Sequence, residues 1–458
     1  MVGHDKPAVS NGALWDAATA VLRANDVGGW TQPAPRLYPH QWSWDSAFIA
    51  IGLAHVDPDR ALRELESLFA AQWADGRVPQ IVYAPTAPPD AYFPDSDRWA
   101  CSVLSPAAPQ DVATSGLVQP PVHAIAVWRI CESISKDGQL RQRHLLRRLD
   151  ALYPKLLAWH RYLATARDPE GSGLITIYHP WESGTDNSPR WDAVLAKIIV
   201  GEVPPYSRRD LQHVADPSQR PVDAEYRRYL WLVESLKRAC YDEAEIHRTH
   251  PFLVKDVLFS AIFVAAERDL ARLGERLGQD VASEAGTFGN LNSWRAVLQC
   301  WDDREQLAFD LDLRAGEPIP ARTVAGLAPL LIPKLGGRIA DALVRRLSGS
   351  DFAGAPGLAF PVVPSTAPGA QGFNSRSYWR GPVWPIANWL LWRGLRQQGY
   401  RARADALRRA NLALLAQPTA HFAEYFDPFT GEPLGSINQS WTAAVALDWL
   451  ATPDPPAE

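Results

Sequence analysis

Apolar residues recur along this chain at three- and four-residue spacing, and nearly every periodic segment reads as a helix. The segment opening at Asp57 is the clearest. Asp57 stands as N-cap with Pro58 at the first helical position. Leu62, Leu65, Phe69 and Gln72-Trp73 follow on one face, and Gly76 is placed to close it. Residues 221–240 carry Val222, Tyr226, Tyr229, Leu230, Val233 and Leu236 on one stripe, with Glu225, Arg227, Arg228 and Lys237 away from it. Residues 252–271 are apolar over most of their first half, the pattern of a helix buried on more than one side. Further helices are predicted at about 12–26, 44–56, 120–135, 140–165, 189–199, 288–302, 322–333, 337–347, 383–397, 402–416 and 440–450. Together these make about fourteen helices, and convincing strand alternation is scarce.

Long loops separate them, at 77–118, 171–188, 200–220, 350–381 and 421–438, and they hold much of the Pro, Gly, Asn and aromatic content. Structureless loops of this length in a compact domain usually serve function. Helices of similar length joined through such loops suggest a closed ring of helix pairs with the loops gathered at one mouth. No linker or charge block divides the chain, so residues 1–458 are expected to form a single all-α domain. The loops 77–118 and 200–220 are candidate lids. An irregular bundle is the alternative, and the lack of a fixed-period repeat weakens an α-solenoid.

Composition narrows the partners. A net charge of -5 over 458 residues leaves no basic footprint for nucleic acid. The start, Met1 to Pro7, lacks an apolar signal core, and no apolar run reaches the roughly 18 residues of a membrane span. A cytoplasmic protein is expected, and a homo-oligomer is compatible with the sequence. Cysteines 101, 131, 240 and 300 stand far apart, which suits neither a zinc site nor a disulfide scaffold. No cofactor or metal is called for. Nineteen tryptophans are many, and several fall in polar loops rather than in helix stripes.

The loop His179-Pro180-Trp181-Glu182-Ser183-Gly184-Thr185-Asp186-Asn187-Ser188-Pro189-Arg190-Trp191-Asp192 combines rings with three acids. Ser188 and Pro189 read as N-cap and first helical residue. Rings stack on the apolar face of a pyranose, and carboxylates bond hydroxyls or move protons. Asp186 lies near a helix start, which lowers a carboxyl pKa, whereas a general acid must keep its proton. Burial would have to outweigh the dipole, and Glu182 competes for the role. Four further stretches have similar character. Tyr38-Pro39-His40-Gln41-Trp42-Ser43-Trp44-Asp45 runs into an apolar helix, and Gln119 precedes a Pro-started one. Arg376 to Trp389 alternates guanidinium groups with rings, and Glu424 sits among aromatics ahead of the turn Asp427-Pro428-Phe429-Thr430-Gly431. His123 reads as a core histidine, and His247 and His250 as surface residues. Two acids on separate aromatic loops suggest glycoside hydrolysis.

In order, Gln41-Trp42-x-Trp44-Asp45-Ser46, Thr114-Ser115-Gly116 through Gln119-Pro120-Pro121, His179 through Ser188, Tyr378-x-Arg380-Gly381-Pro382-x-Trp384 and Glu424-Tyr425-x-x-Pro428-x-Thr430-Gly431 form a set over roughly residues 35–450. This set resembles glycoside hydrolase family 63, and within it the short bacterial mannosylglycerate and glucosylglycerate hydrolases. The resemblance implies an (α/α)6 barrel and inverting hydrolysis of an α-glycosidic bond, with Asp186 as general acid and Glu424 as general base. It leaves Glu182 as a hydroxyl ligand or a structural acid. It makes Tyr38, Trp42, Asp45, Gln119, Trp181, Gly184 and Trp384 a hexose subsite, which Tyr378 and Arg380 are expected to join. It also implies Arg220 as a clamp for a glycerate carboxylate, with Tyr92 and Gln439 beside it. The sequence departs from the family pattern at Thr185, where an apolar residue is expected, and at Asn438-Gln439-Ser440-Trp441 in place of a Gln-Phe-Ser-Trp run.

The partner is therefore a small-molecule glycoside: 2-O-(α-glucosyl or α-mannosyl)-glycerate on the first reading, a neutral α-disaccharide or oligosaccharide on the second. A catalytically silent sugar-binding protein is the reading from another class. A sugar epimerase would want a central histidine pair, which the sequence does not supply.

Overall fold

The structure is a computed structural model and describes residues 9–88, 91–134, 139–213, 216–280, 293–333 and 335–453. Among them, six helices are successive neighbours: Ser43–Leu53, His123–Ile134, Val257–Leu277, the 3₁₀ helix Val324–Leu331, Pro385–Gln397 and Ser440–Ala451. Each packs on the next, and Ser440–Ala451 returns to Ser43–Leu53. Outside this ring lie Asn11–Ala24, Pro58–Ala70, Gln139–Ala166, Ser293–Gln299, Gly337–Ser348 and Arg401–Leu415, each against one or two inner members.

Position in the ring follows from residue pattern. Every residue of Ser43–Leu53 is buried, so the helix has no face for water. Where it meets Ser440–Ala451 the backbones approach so closely that a Cβ on Gly52 would stand 2.4 Å from Ala444 Cα. Only glycine fits there. The outer helix Gly337–Ser348 instead buries Ala340, Leu343, Val344 and Leu347 on one stripe and ends on Arg345 and Arg346.

Asp57 caps Pro58–Ala70 as expected, accepting from the Asp59 and Arg60 N–H groups. The helix ends at Ala70 rather than at Gly76, which at φ +95° closes a turn onto the Trp73 carbonyl. The helix predicted from 252 begins at Val257, because Asp256 caps it and Val254–Lys255 is a strand. Segment 322–333 is 3₁₀ over Val324–Leu331, and the internal Pro329 cannot donate to an α-helical ladder. The expected helix start at 288 lies outside the described residues, and Ser293–Gln299 is its described part. His250 is buried, contrary to the surface expectation. It closes the short helix Glu243–Thr249 and its Nε2 pairs with the Tyr178 carbonyl at 2.7 Å.

Very short strands fasten the loops. Thr176–Ile177, Val254–Lys255, Asp310–Asp312 and Glu317–Ile319 form one antiparallel sheet in that order. Gln41–Trp42 pairs with Ile81–Val82, and Tyr425–Phe426 with Pro433–Leu434. Among the described residues, no helix is long and apolar enough to cross a membrane.

Candidate active site

The loop from His179 is fixed at almost every backbone position. His179 caps the 3₁₀ turn Pro180–Ser183 by accepting from the Trp181 N–H. Gly184 ends that turn at φ +69°, and a Cβ there would lie 2.5 Å from the Trp44 ring. Thr185, where the sequence led to the expectation of an apolar residue, is buried and accepts from Arg190 Nη2 at 2.7 Å. Arg190 in turn is gripped by Asp310, with both contacts at 2.9 Å. The Asp186 carbonyl accepts from Tyr229 Oη, and Asn187 Oδ1 accepts from the Trp379 N–H. These contacts leave the Asp186 side chain facing a cavity.

Of the residues expected at the site, Tyr38, Trp42, Asp45, Tyr92, Gln119, Trp181, Gly184, Asp186, Arg220, Tyr378 and Glu424 line that one cavity. Four stand elsewhere. Glu182 is fully buried and receives a fork from Arg167 at 2.8 and 2.8 Å. It also accepts from the Val118 and Tyr178 N–H groups, which uses up its acceptor positions within the protein. Arg380 turns to Asp192 and to the Asn187 carbonyl. Trp384 is sandwiched between Trp379 at 3.9 Å and Tyr425 at 4.6 Å, so it supports the wall from behind. Gln439 is buried and accepts from Ser436 Oγ. Gln41 also points away, donating to the Glu64 carbonyl, and His123 pairs with Ser43 in the core.

Trp379 and Trp441, from two of the stretches singled out in the sequence, also join the wall, and so do Gln80, Phe93, Asp210 and Tyr226, which no sequence motif marks as ligands. Tyr226 sits on a stripe that reads as core, and Gln80, Phe93 and Asp210 belong to long loops. The one signal for Gln80, Phe93 and Asp210 is membership of loops 77–118 and 200–220.

The electrostatics of the cavity separate its acids. Glu424 precedes the strand Tyr425–Phe426 and is fully buried. Its Oε1 accepts from Tyr38 Oη at 2.8 Å and its Oε2 from the Ser436 N–H at 3.0 Å. Burial raises its pKa above the ordinary glutamate value, and Arg220 and these donors offset only part of that. Asp45 is raised well above the usual range by burial and by the Glu424 and Asp186 charges. Asp186 is pushed up to about 7, first by burial and also by Glu424, against the opposing charge of Arg220. The helix dipole is weak here. Asp186 precedes the cap Ser188 by two residues, and the helical stretch beyond it is short, the 3₁₀ turn Pro189–Trp191 running into the helix Asp192–Ala196. Asp186 can therefore hold a proton near neutral pH, while Arg220 and the donors on Glu424 favour the ionised form of that carboxylate. Among the described residues, no group of three His, Cys, Asp or Glu side chains is placed to hold a metal ion.

Residues 38–442 match the model of the mannosylglycerate hydrolase MGH1-like glycoside hydrolase domain. The chain belongs to this family. It is 45% identical to a glucosylglycerate hydrolase of Mycolicibacterium hassiacum, over 98% of this chain and 99% of the relative. It is 42% identical to a mannosylglycerate hydrolase of Rubrobacter radiotolerans, over 94% and 95% of the two chains. A crystal structure of a family 63 mannosylglycerate hydrolase from Thermus thermophilus, in complex with Tris and D-glycerate, superposes with a TM-score of 0.86 at 40% identity. That match covers 95% of this chain and 99% of the other. The chain is thus a glycoside hydrolase family member along nearly its whole length, and the cavity lies inside the matched region.

Proposed function

We propose that this protein is an inverting α-glycosidase that hydrolyses 2-O-(α-glucosyl or α-mannosyl)-glycerate to the hexose and glycerate. Asp186 protonates the glycosidic oxygen as the C–O bond breaks. Glu424 takes a proton from the water that attacks the anomeric carbon from the opposite face. Trp42 and Trp181 offer ring surface to the hexose, and Asp45 and Gln119 accept or donate to its hydroxyls.

The observation that carries the glycerate assignment is Arg220. Its side chain is only 10% exposed, yet its hydrogen bonds are long: Nη1 to Tyr38 Oη at 3.4 Å and Nε to Asp210 Oδ2 at 3.5 Å. Its guanidinium lies over the Tyr378 ring at 4.5 Å. A buried guanidinium with underused donors beside the catalytic pair suits an incoming carboxylate. The second reading, a neutral α-disaccharide, is favoured by Asp210, whose charge already partly balances Arg220.

The same reading takes the chain, residues 1–458, as a single-domain (α/α)6 barrel, and the six inner and six outer helices among the described residues support it. In it the loops 77–118 and 200–220 act as lids, contributing Gln80, Tyr92 and Phe93, and Asp210 and Arg220, to the wall.

A hydrolysis screen with glucosylglycerate, mannosylglycerate and several α-linked glucobioses tests the proposal, following the anomer first released. Rapid release of the β-anomer from a glycerate glycoside is expected. Release of the α-anomer would refute inversion, and turnover of glucobioses alone would refute glycerate. Arg220→Ala is expected to raise KM for glycerate glycosides far more than for neutral ones.

A further inference from the structure

Arg220 shares its cavity with Asp45, Asp186 and Glu424. An unrestrained guanidinium among carboxylates collapses onto one of them in a two-pronged pair. Here it does not. Its face is covered by Tyr378, and its Nε edge is turned to Asp210. Asp210 is itself bound elsewhere, by a fork from Arg208 with Nε at 3.1 Å to Oδ1 and Nη2 at 2.6 Å to Oδ2. The third nitrogen of Arg208 donates to the Pro221 carbonyl at 2.6 Å, next in the chain to Arg220, and the Arg208 guanidinium rests 4.4 Å over Tyr226.

The distances rank the two arginines. Arg208 holds both oxygens of Asp210, at 3.1 and 2.6 Å, and Asp210 reaches Arg220 only at 3.5 Å, so it orients Arg220 while offsetting only part of its charge. In the trio Arg208–Asp210–Arg220 the Arg208 charge is also met by the exposed Asp223 at 3.1 Å, and the Arg220 guanidinium is the cation that the trio presents to the cavity. All three side chains are at most 10% exposed, so water screens them little.

We infer that Asp210, held by Arg208, is a positioning residue that keeps the Arg220 guanidinium turned toward the substrate's carboxylate and away from Asp186 and Glu424. The inference rests on the glycerate reading above. It makes discrimination for anionic aglycones depend on a residue that need not touch the substrate. Asp210 is held ionised: burial raises its pKa, but the Arg208 hydrogen bonds and the Arg220 and Arg208 charges outweigh this. The groups acting on Asp186 are Arg220, Glu424, Asp45, Tyr92, Tyr229 and Tyr378. The three tyrosines are raised and stay neutral, so Arg220 is the cation whose displacement registers in the titration of Asp186.

The test compares kcat/KM for glucosylglycerate and for glucosylglycerol, its neutral counterpart, across neutral pH in the full-length enzyme. In Asp210→Asn, Arg220 is released toward the catalytic carboxylates. The preference for glucosylglycerate is expected to fall roughly tenfold, and the basic limb of the profile to move to lower pH. In Arg208→Gln, Asp210 is free to close on Arg220. Preference is again expected to fall, but the basic limb moves to higher pH. Opposite shifts cannot come from a shared loss of folding. An unchanged preference in both variants, or equal losses on both glycosides with the limb unmoved, would overturn the inference. Parental enzyme that turns over both glycosides equally would instead refute the glycerate reading, and the inference with it.

Discussion

Tyr38 donates its hydroxyl hydrogen to Glu424 Oε1 at 2.8 Å while receiving a long hydrogen bond from Arg220 at 3.4 Å. The general base of the proposed reaction and the guanidinium assigned to the aglycone are thus joined through one phenol. A donor to a carboxylate favours its ionised form.

Removing that donor has a defined sign. In Tyr38→Phe the Glu424 pKa rises further, so the acidic limb of kcat/KM is expected at higher pH than in the parent. Hydrogen bonds to charged groups contribute about 1.5–3 kcal/mol, so a loss of activity of roughly ten- to a hundredfold accompanies it. A pH–rate profile with the acidic limb unmoved would contradict this role.

Asp186→Asn and Glu424→Gln are each expected to cut turnover by roughly a thousandfold with the fold retained, since acid–base groups contribute about 10²–10⁴. In the parent, activity falls as pH rises through about 7, where Asp186 loses its proton. Stability follows the same group. Its folded pKa lies above the ~3.9 of an unfolded aspartate, so the stability linked to its proton is complete below about 4 and is lost as pH rises through about 7. Asp186→Asn cannot ionise, and its melting temperature should gain on the parent as pH rises through that window. A constant difference across pH would count against the raised pKa.

Glu182 separates structure from catalysis. Glu182→Ala leaves Arg167 buried beside a lost partner, which costs about 3–5 kcal/mol for a buried pair. Denaturant unfolding should show that loss, whereas Arg220→Ala should leave the unfolding midpoint near the parental value. Equal stabilities for Glu182→Ala and the parent would restore Glu182 as a cavity residue.

Gly184→Ala tests the wall behind Asp186. The added methyl meets both a left-handed backbone and the Trp44 ring. About 1–3 kcal/mol of strain is expected, with a fall in kcat because the neighbouring acid shifts. Crystals or melting curves showing an undisturbed loop would argue that Trp44 can yield.

The helical character, the caps at Asp57 and Ser188 and the aromatic loops carrying Asp186 and Glu424 are all legible in the residues, because each rests on local chemistry. The hidden part depends on which way a side chain turns. Arg380 looks like a ligand from its aromatic neighbours, but Asp192 lies within reach on the other side. Trp384 reads as a platform and instead stacks on Trp379 and Tyr425, with the Tyr378 ring against it edge to face. Asp210 carries no motif at all, and only Arg208 and Arg220 around it give it a role. The four-stranded sheet is invisible because strands of two or three residues are too short to show alternation.

The close approach at Gly52 also bears on assembly. His55 bonds Asp448 across 393 positions, and Asn25 bonds Ser440 across 415. The helix Ser43–Leu53 is buried on every side, so during synthesis it must wait, uncovered, for nearly the whole chain to be made. Contacts of such long sequence separation form slowly and expose apolar surface meanwhile. A nascent chain stopped before Ser440 would hold all the proposed catalytic residues yet lack the helix that shuts the circle around them, and would leave one side of Ser43–Leu53 uncovered until that helix is made.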